Sequence, residues 1–519
     1  MSLKGSRVKI ESSRKAGVII SYAYSIVQIL VQLLYVPILL KGIGQAEYGL
    51  YQFVGSIMAY LTVINTVLAS SVTKFYSKAY LQDDSELMEN TLAIAKRLFW
   101  IISFVAVVVI LFVGTIVVYS YSNSFSTAQL FEMSLMFVVL AADMVVVMNN
   151  IISIAVITAH EKFVFLRLSQ LITAILQPLL VVVFMHFWPS ALLVTCMTFL
   201  ANLLCALIQR VFVFNILKAK STFHGMDWKL AKEMLLFSSA VILVAFSDQV
   251  FWKSGQLILG YFYGADLIAV FAIGAQIYSV YMVLGTSIST VFLPKVTDIV
   301  LHSVDSAADL SRLFIKVGRI SFYVAFLVLS GFAIFGQDFI TLWAGHEFAD
   351  AYWVAMIVMV PFTVDIIQNL GLIIMQVKDV YQFRGYMNAA IAVINVFISI
   401  FLCRLFGVTG SAISTAVSIA IGNGLIMNWY YARKLDMDIL QFWKNILSIL
   451  VPLLITSFGF NVIWTYFDWH GWSALVTGGL IYSLLYTVVS IIFCFDAYER
   501  EFAKNLWAQL FVIFSFSKR

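Results

Sequence analysis

Apolar residues in this chain fill whole segments of about 20 residues, the length an α-helix needs to cross the hydrocarbon of a bilayer. Fourteen such runs can be read: 16–40, 48–72, 97–121, 130–158, 164–186, 190–214, 235–262, 267–293, 317–344, 350–376, 383–404, 408–431, 444–467 and 471–495. Each is predicted to be a helix, because hydrocarbon offers backbone groups no partners and a helix satisfies them within one segment. The closing stretch, 497–519, has an apolar part too short to span. Its Lys and Trp residues predict an interfacial helix.

Composition agrees with the pattern. Hydrophobic residues make up 62% of the chain and charged residues 11%, against roughly 45–50% and 25% in a soluble domain. The expected class is an all-α, polytopic integral membrane protein with about fourteen transmembrane helices. The links 215–234 and 295–316 are too short for a soluble catalytic domain, and the outer links are shorter still. An enzyme with an appended catalytic domain is excluded on that ground.

The formal charge of +5 is scattered among loops rather than gathered into a patch suited to nucleic acid. It fits instead the excess of Lys and Arg in cytoplasmic loops. With the N-terminus inside, 29 of the 32 basic residues fall on the cytoplasmic side, beginning with Lys4, Arg7, Lys9, Arg14 and Lys15. Lys41 and Arg404 fall outside and Lys253 within a span. A miscounted span would scramble that bias, so both termini are expected in the cytoplasm. The four cysteines have neither CxxC nor zinc-like spacing with His, and no metal or cofactor is predicted. No GxxxxGK[ST] is present. Energy then comes from an ion gradient, the membrane potential or the substrate's own gradient.

A weak internal repeat aligns Gly44–Ser56 with Gly264–Gln276 at an offset of 220. It makes spans 1–6 and 7–12 equivalent and, six being even, related by an axis along the membrane normal. The expected organisation is two six-helix lobes in parallel repeat, 1–220 and 221–434, followed by 435–519 with spans 13 and 14 and the tail. Such a pair of lobes is the build of an alternating-access carrier with a cavity between them.

Ionisable residues inside spans are costly and mark candidate sites. Lys253 and Asp248 lie in span 7, Asp143 in span 4 and Asp365 in span 10. Lys253 and Asp248 are assigned to substrate binding, with Gln28, which the offset aligns with Asp248. Asp143 and Asp365, 222 residues apart, are assigned to ion coupling by H+ or Na+. Asn149 and Asn369, 220 apart, are candidates to line a polar cavity. The competing reading for all of them is structural pairing between helices. Pro37, Pro178, Pro361 and Pro452 fall within spans, where static kinks are expected. Trp464, Tyr466, Trp469 and Trp472 are read as an interfacial belt.

Three stretches carry a family resemblance: Ala16–Tyr51, Leu259–Tyr281 with Phe292–Asp298 after it, and Phe406–Ala416. Together they resemble the polysaccharide-repeat flippases, of the superfamily that includes multidrug and toxin extrusion carriers and lipid II flippases. The resemblance implies export of an undecaprenyl-diphosphate-linked oligosaccharide across a bacterial cell membrane, for capsule, exopolysaccharide or O-antigen assembly, beside other glycan-assembly membrane proteins. It also implies a V-shaped pair of lobes whose central cavity carries basic residues, for which Lys253 is the candidate. The alternatives are a cation-coupled multidrug exporter of the same superfamily and a membrane-embedded glycan polymerase or ligase, the latter disfavoured by the short loops.

Overall fold

Helices occupy the described parts of all fourteen apolar segments in a computed structural model, which describes residues 20, 23–24, 27–467, 469–496 and 499–501. The basic leader and most of the predicted interfacial tail lie outside the described residues. Helix α1 covers Val27–Ile43. There follow α2 Gln45–Leu81, α3 Ser85–Ser120, α4 Thr127–Ala159, α5 Phe163–Phe184, α6 Ala191–Val211, α7 Trp228–Tyr263 and α8 Ala265–Ser289. The short α9 Leu293–His302 leads to α10 Ser306–Trp343, α11 Ala351–Ile367, α12 Asn369–Val377, α13 Gln382–Ile419, α14 Met427–Lys434, α15 Ile439–Trp464 and α16 Trp472–Val489. Among the described residues there is no strand.

Among the described residues, eleven helical segments are long and apolar enough to cross a membrane, by length and composition alone. The long Gln382–Lys434 segment counts once there, although Gly407 (φ 58°, ψ −129°) breaks it where the sequence separates runs 383–404 and 408–431. The outer faces carry Phe104, Phe397, Phe458 and Leu484, each about 70% exposed. Water would penalise so much contiguous apolar surface, whereas lipid does not. The chain is a multi-pass, all-α membrane protein.

Helix ends are fixed by local chemistry. Asp84, Asp305 and Asp438 each accept from a backbone N–H three residues on, at 2.9, 3.0 and 2.9 Å. Ser126 and Gln129 form a reciprocal capping box before α4. The start of α6 takes carboxylates from two other helices. Glu47 of α2 accepts from Ala191 N at 2.8 Å, Glu132 of α4 from Leu192 N at 2.7 Å, and Ser190 caps Leu193 N at 3.1 Å. Three of the four N–H groups that a helix start leaves unpaired are thereby satisfied, with negative charge at the positive dipole end.

Gly44 and Gly264, aligned by the offset of 220, take φ of 84° and 78° and each opens the next helix. Glycine adopts that left-handed region without the steric cost a side chain incurs.

The chain divides into two compact units. Unit 1 comprises Met1–Ala272 with Cys403–Gly407, and unit 2 comprises Ile273–Leu402 with Val408–Arg519. In unit 1, α4 packs against α2, α3 and α6, and α7 lies along α2. In unit 2, α10 is the central helix, against α11, α15 and α16.

Candidate functional site

In unit 1 the candidate residues fall on three helices. Lys253 is half-buried on α7, and its ammonium joins no hydrogen bond or ion pair among the described residues. One turn of the same helix holds Ser254 and Gln256, both buried, whose Oγ and Oε1 atoms have no hydrogen-bond partner among the described residues. A buried polar atom left unpaired costs about 1–3 kcal/mol. This turn of α7 therefore concentrates polar capacity that the protein does not itself satisfy. Asp248 is exposed on α7, a little over one turn earlier, and Gln28 is exposed on α1.

Asp143 stands on α4 and accepts from Asn202 of α6, whose Nδ2 lies 3.0 and 3.2 Å from the two carboxylate oxygens. Asn149, nearly two turns along α4, donates to Val145 O at 2.8 Å and to Ser103 Oγ of α3 at 3.5 Å. Its neighbour Asn150 donates to Gln209 Oε1 at 2.9 Å, and Gln209 Nε2 donates to Ser169 Oγ at 2.8 Å. A polar seam thus runs from α4 through α6 to α5. Nothing in the sequence pattern singles out Asn202 or Gln209, because each is one amide in an apolar run.

Unit 2 gathers a second cluster. Asp365 is buried near the end of α11 and receives Arg384 Nη1 at 3.5 Å. The apolar run that predicts one helix over 350–376 is broken at Gln368 (φ −100°, ψ 4°), three residues after Asp365. At the break Gln368 Nε2 donates to Asn428 Oδ1 at 2.8 Å, which also accepts from Trp443 Nε1 at 3.0 Å. Asn369 is buried as the first residue of α12. Gly371 lies against the ring of the fully buried Tyr431, where any Cβ would be 2.5 Å from Cζ.

A third group was missed because its residues sit at run ends. Arg319 of α10 forms a bidentate pair with Glu499, Nε to Oε1 at 2.6 Å and Nη2 to Oε2 at 2.8 Å, and also donates to Cys494 O at 3.0 Å. Among the described residues no group of His, Cys, Asp and Glu could hold a metal ion.

The chain is thus a bundle of membrane-crossing helices with polar clusters between the helices of each unit. The family described as polysaccharide biosynthesis protein matches residues 15–300, more than half of the chain, and the chain belongs to that family. No curated protein matches. Among solved structures the chain is similar to a lipid II flippase, MurJ, in an inward closed conformation, with a TM-score of 0.75 and 14% identity over 92% of this chain and 98% of that one. It is also similar to a multidrug resistance MATE family transporter of the MOP superfamily, inward-facing, with a TM-score of 0.64 and 13% identity over 80% and 96%. At such identities the likeness establishes the fold, which is that of flippases and transporters.

Proposed function

We propose that the chain is a flippase that carries an undecaprenyl-diphosphate-linked oligosaccharide from the inner to the outer leaflet of a bacterial cytoplasmic membrane. The route is alternating access, for capsule, exopolysaccharide or O-antigen assembly. Family membership supports a role in polysaccharide biosynthesis, and the shared fold supports lipid flipping. The physical need is plain. A diphosphate head with many hydroxyls forfeits several kcal/mol for each hydrogen bond lost to hydrocarbon, and a wet path between helices removes most of that cost.

The single observation that carries the substrate assignment is the turn of α7 with Lys253, Ser254 and Gln256. An ammonium in an apolar helix, with the Ser254 hydroxyl next to it as a second donor, is suited to a diphosphate or an acidic sugar. Asp248 and Gln28 are assigned beside it as hydroxyl-binding groups. Asp143 and Asp365 are the proposed sites for a coupling cation, H+ or Na+, with Asn149 and Asn369 as polar lining. Rocking of the lobes 1–220 and 221–434, with 435–519 appended and both termini cytoplasmic, completes the reading, in which the chain moves its lipid substrate without covalent chemistry.

The test is surface glycan in a strain deleted for the chain and complemented with variants. Lys253→Ala is expected to lower export about ten-fold or more, the loss of one charge-assisted hydrogen bond of about 1.5–3 kcal/mol, while Lys253→Arg retains most of it. Wild-type export by Lys253→Ala overturns the assignment.

A further inference from the structure

Unit 1 holds a cavity of about 460 Å³ between α3, α4 and the end of α6, which shares Asn149 with the proposed polar lining but includes none of the α7 residues assigned to the transported substrate. Its size lies within the roughly 300–1,000 Å³ of small-ligand sites. Ten of its sixteen lining residues are apolar, and two, Lys96 and Arg210, are cations.

The cavity is graded along its length. On α6 the lining positions are Leu203, Ala206, Leu207 and Arg210, one helical stripe that runs from apolar to cationic over seven residues, about 10 Å. On α3, Lys96 and Trp100 are four apart and so share a face, with the cation at the edge of the apolar run and the indole one turn inside it. Trp100, Leu207 and Phe214 are 56%, 49% and 40% exposed, so the apolar part opens sideways to hydrocarbon.

Neither cation has a carboxylate partner within 4 Å among the described residues, and Arg210 lies 5.8 Å from the Phe214 ring centroid. The nearby acids of α3 are engaged elsewhere. His224, on the strap that follows α6, sits 3.3 Å from Glu89 and 4.0 Å from Glu86. That strap is held down by Phe223 under Arg97, with 3.3 Å between guanidinium and ring centroid, and it contributes Ser221 to the cavity wall.

We propose that the cavity is a binding site for an anionic phospholipid of the surrounding bilayer. Lys96 and Arg210 take the phosphate at headgroup depth, and the upper part of an acyl chain lies along Trp100, Val146 and Leu203. Charge complementarity selects the anion, since basic pockets between membrane helices recognise anionic headgroups. The apolar walls select a lipid over a soluble phosphate, which would leave them in contact with a hydrated ion.

The experiment reads binding rather than export, so it stands or falls separately from the proposed function. The purified full chain is placed in phosphatidylcholine vesicles containing acyl-brominated phosphatidylglycerol, and quenching due to Trp100 is taken as wild type minus Trp100→Phe. Lys96→Gln and Arg210→Gln are each expected to weaken apparent affinity about five-fold, and the double variant about thirty-fold. Val146→Phe, which fills the apolar end without touching charge, is expected to remove the Trp100 signal, with circular dichroism verifying that each variant is folded. Equal quenching by brominated phosphatidylcholine, or an unchanged affinity in the folded double variant, overturns the proposal. Displacement of the lipid by inorganic phosphate overturns it too, by assigning the cations to a soluble anion.

Discussion

Arg384 Nη1 stands 3.5 Å from Asp365 Oδ1, with side-chain exposures of 14% and 11%. The pair joins the end of α11 to the start of α13 beside the break at Gln368. The carboxylate assigned to ion coupling thus meets a guanidinium in its own unit, and a cation arriving at Asp365 has to compete with it. Removing one partner of a buried pair leaves an uncompensated charge, at a cost of about 3–5 kcal/mol.

Asp365→Asn and Arg384→Gln are each expected to lose about 3 kcal/mol of stability, and the double variant to recover a large part of the sum. A thermodynamic cycle from unfolding in detergent measures the coupling. Additive losses would mean that the two groups do not stabilise one another.

How much of this was legible follows from what the bilayer demands. Fourteen apolar runs had to be helices, and Gly44 and Gly264 stood out through the repeat at an offset of 220. The structure adds the reason, since a chain that leaves one membrane helix and enters the next at once needs a left-handed residue there. The ionic pairs were not legible. Arg319 and Arg384 lie at the ends of apolar runs, where counting by side assigns them to loops. Helix α10 instead begins at Ser306, well before its apolar run, and carries Arg319 inward to a carboxylate 180 residues away. The break at Gln368 was equally hidden, having apolar residues on both sides. Its position is explained by contacts distant in sequence, Asn428 on the amide and Tyr431 over Gly371.

The Arg319–Glu499 pair gives the segment after α16 its anchor. Glu499 Oε2 also accepts from Asp496 N at 2.9 Å, and Asp496 Oδ1 accepts from Glu499 N at 2.8 Å, so the acid is fixed by its own backbone before it meets the guanidinium. Arg319→Gln or Glu499→Gln is expected to cost about 3–5 kcal/mol and to expose the chain after Cys494 to protease. Undiminished protection in both variants would remove the anchor role.

Two glycines mark close approaches that differ in how they can yield. A Cβ on Gly49 of α2 would overlap the backbone carbonyl of Ala265 at the start of α8, whereas one on Gly371 would meet the Tyr431 ring. A backbone neighbour cannot rotate away, and overpacking costs about 1–3 kcal/mol even where side chains adjust. Gly49→Ala is therefore expected to lower the unfolding temperature more than Gly371→Ala. The reverse order would show that α2 and α8 can separate at little cost.

His160 follows the last residue of α4, with the Tyr80 ring tilted against its own at 4.3 Å between centroids and Tyr76 Oη 3.4 Å from Nε2. A helix C-terminus favours an imidazolium, yet burial, with Lys162 nearby, holds this imidazole below the usual histidine value. Desolvation and a like charge therefore outweigh the dipole. Since the folded state binds the proton less readily than the unfolded chain, the neutral ring's contribution is fully present above the unfolded value, and it is lost as pH falls through the folded one. His160→Gln, which cannot charge, is expected to flatten the dependence of stability on pH between about 7 and 5, where an unperturbed histidine titrates. Unfolding measured across that window in both proteins decides the matter, and parallel curves would place the titrating group elsewhere.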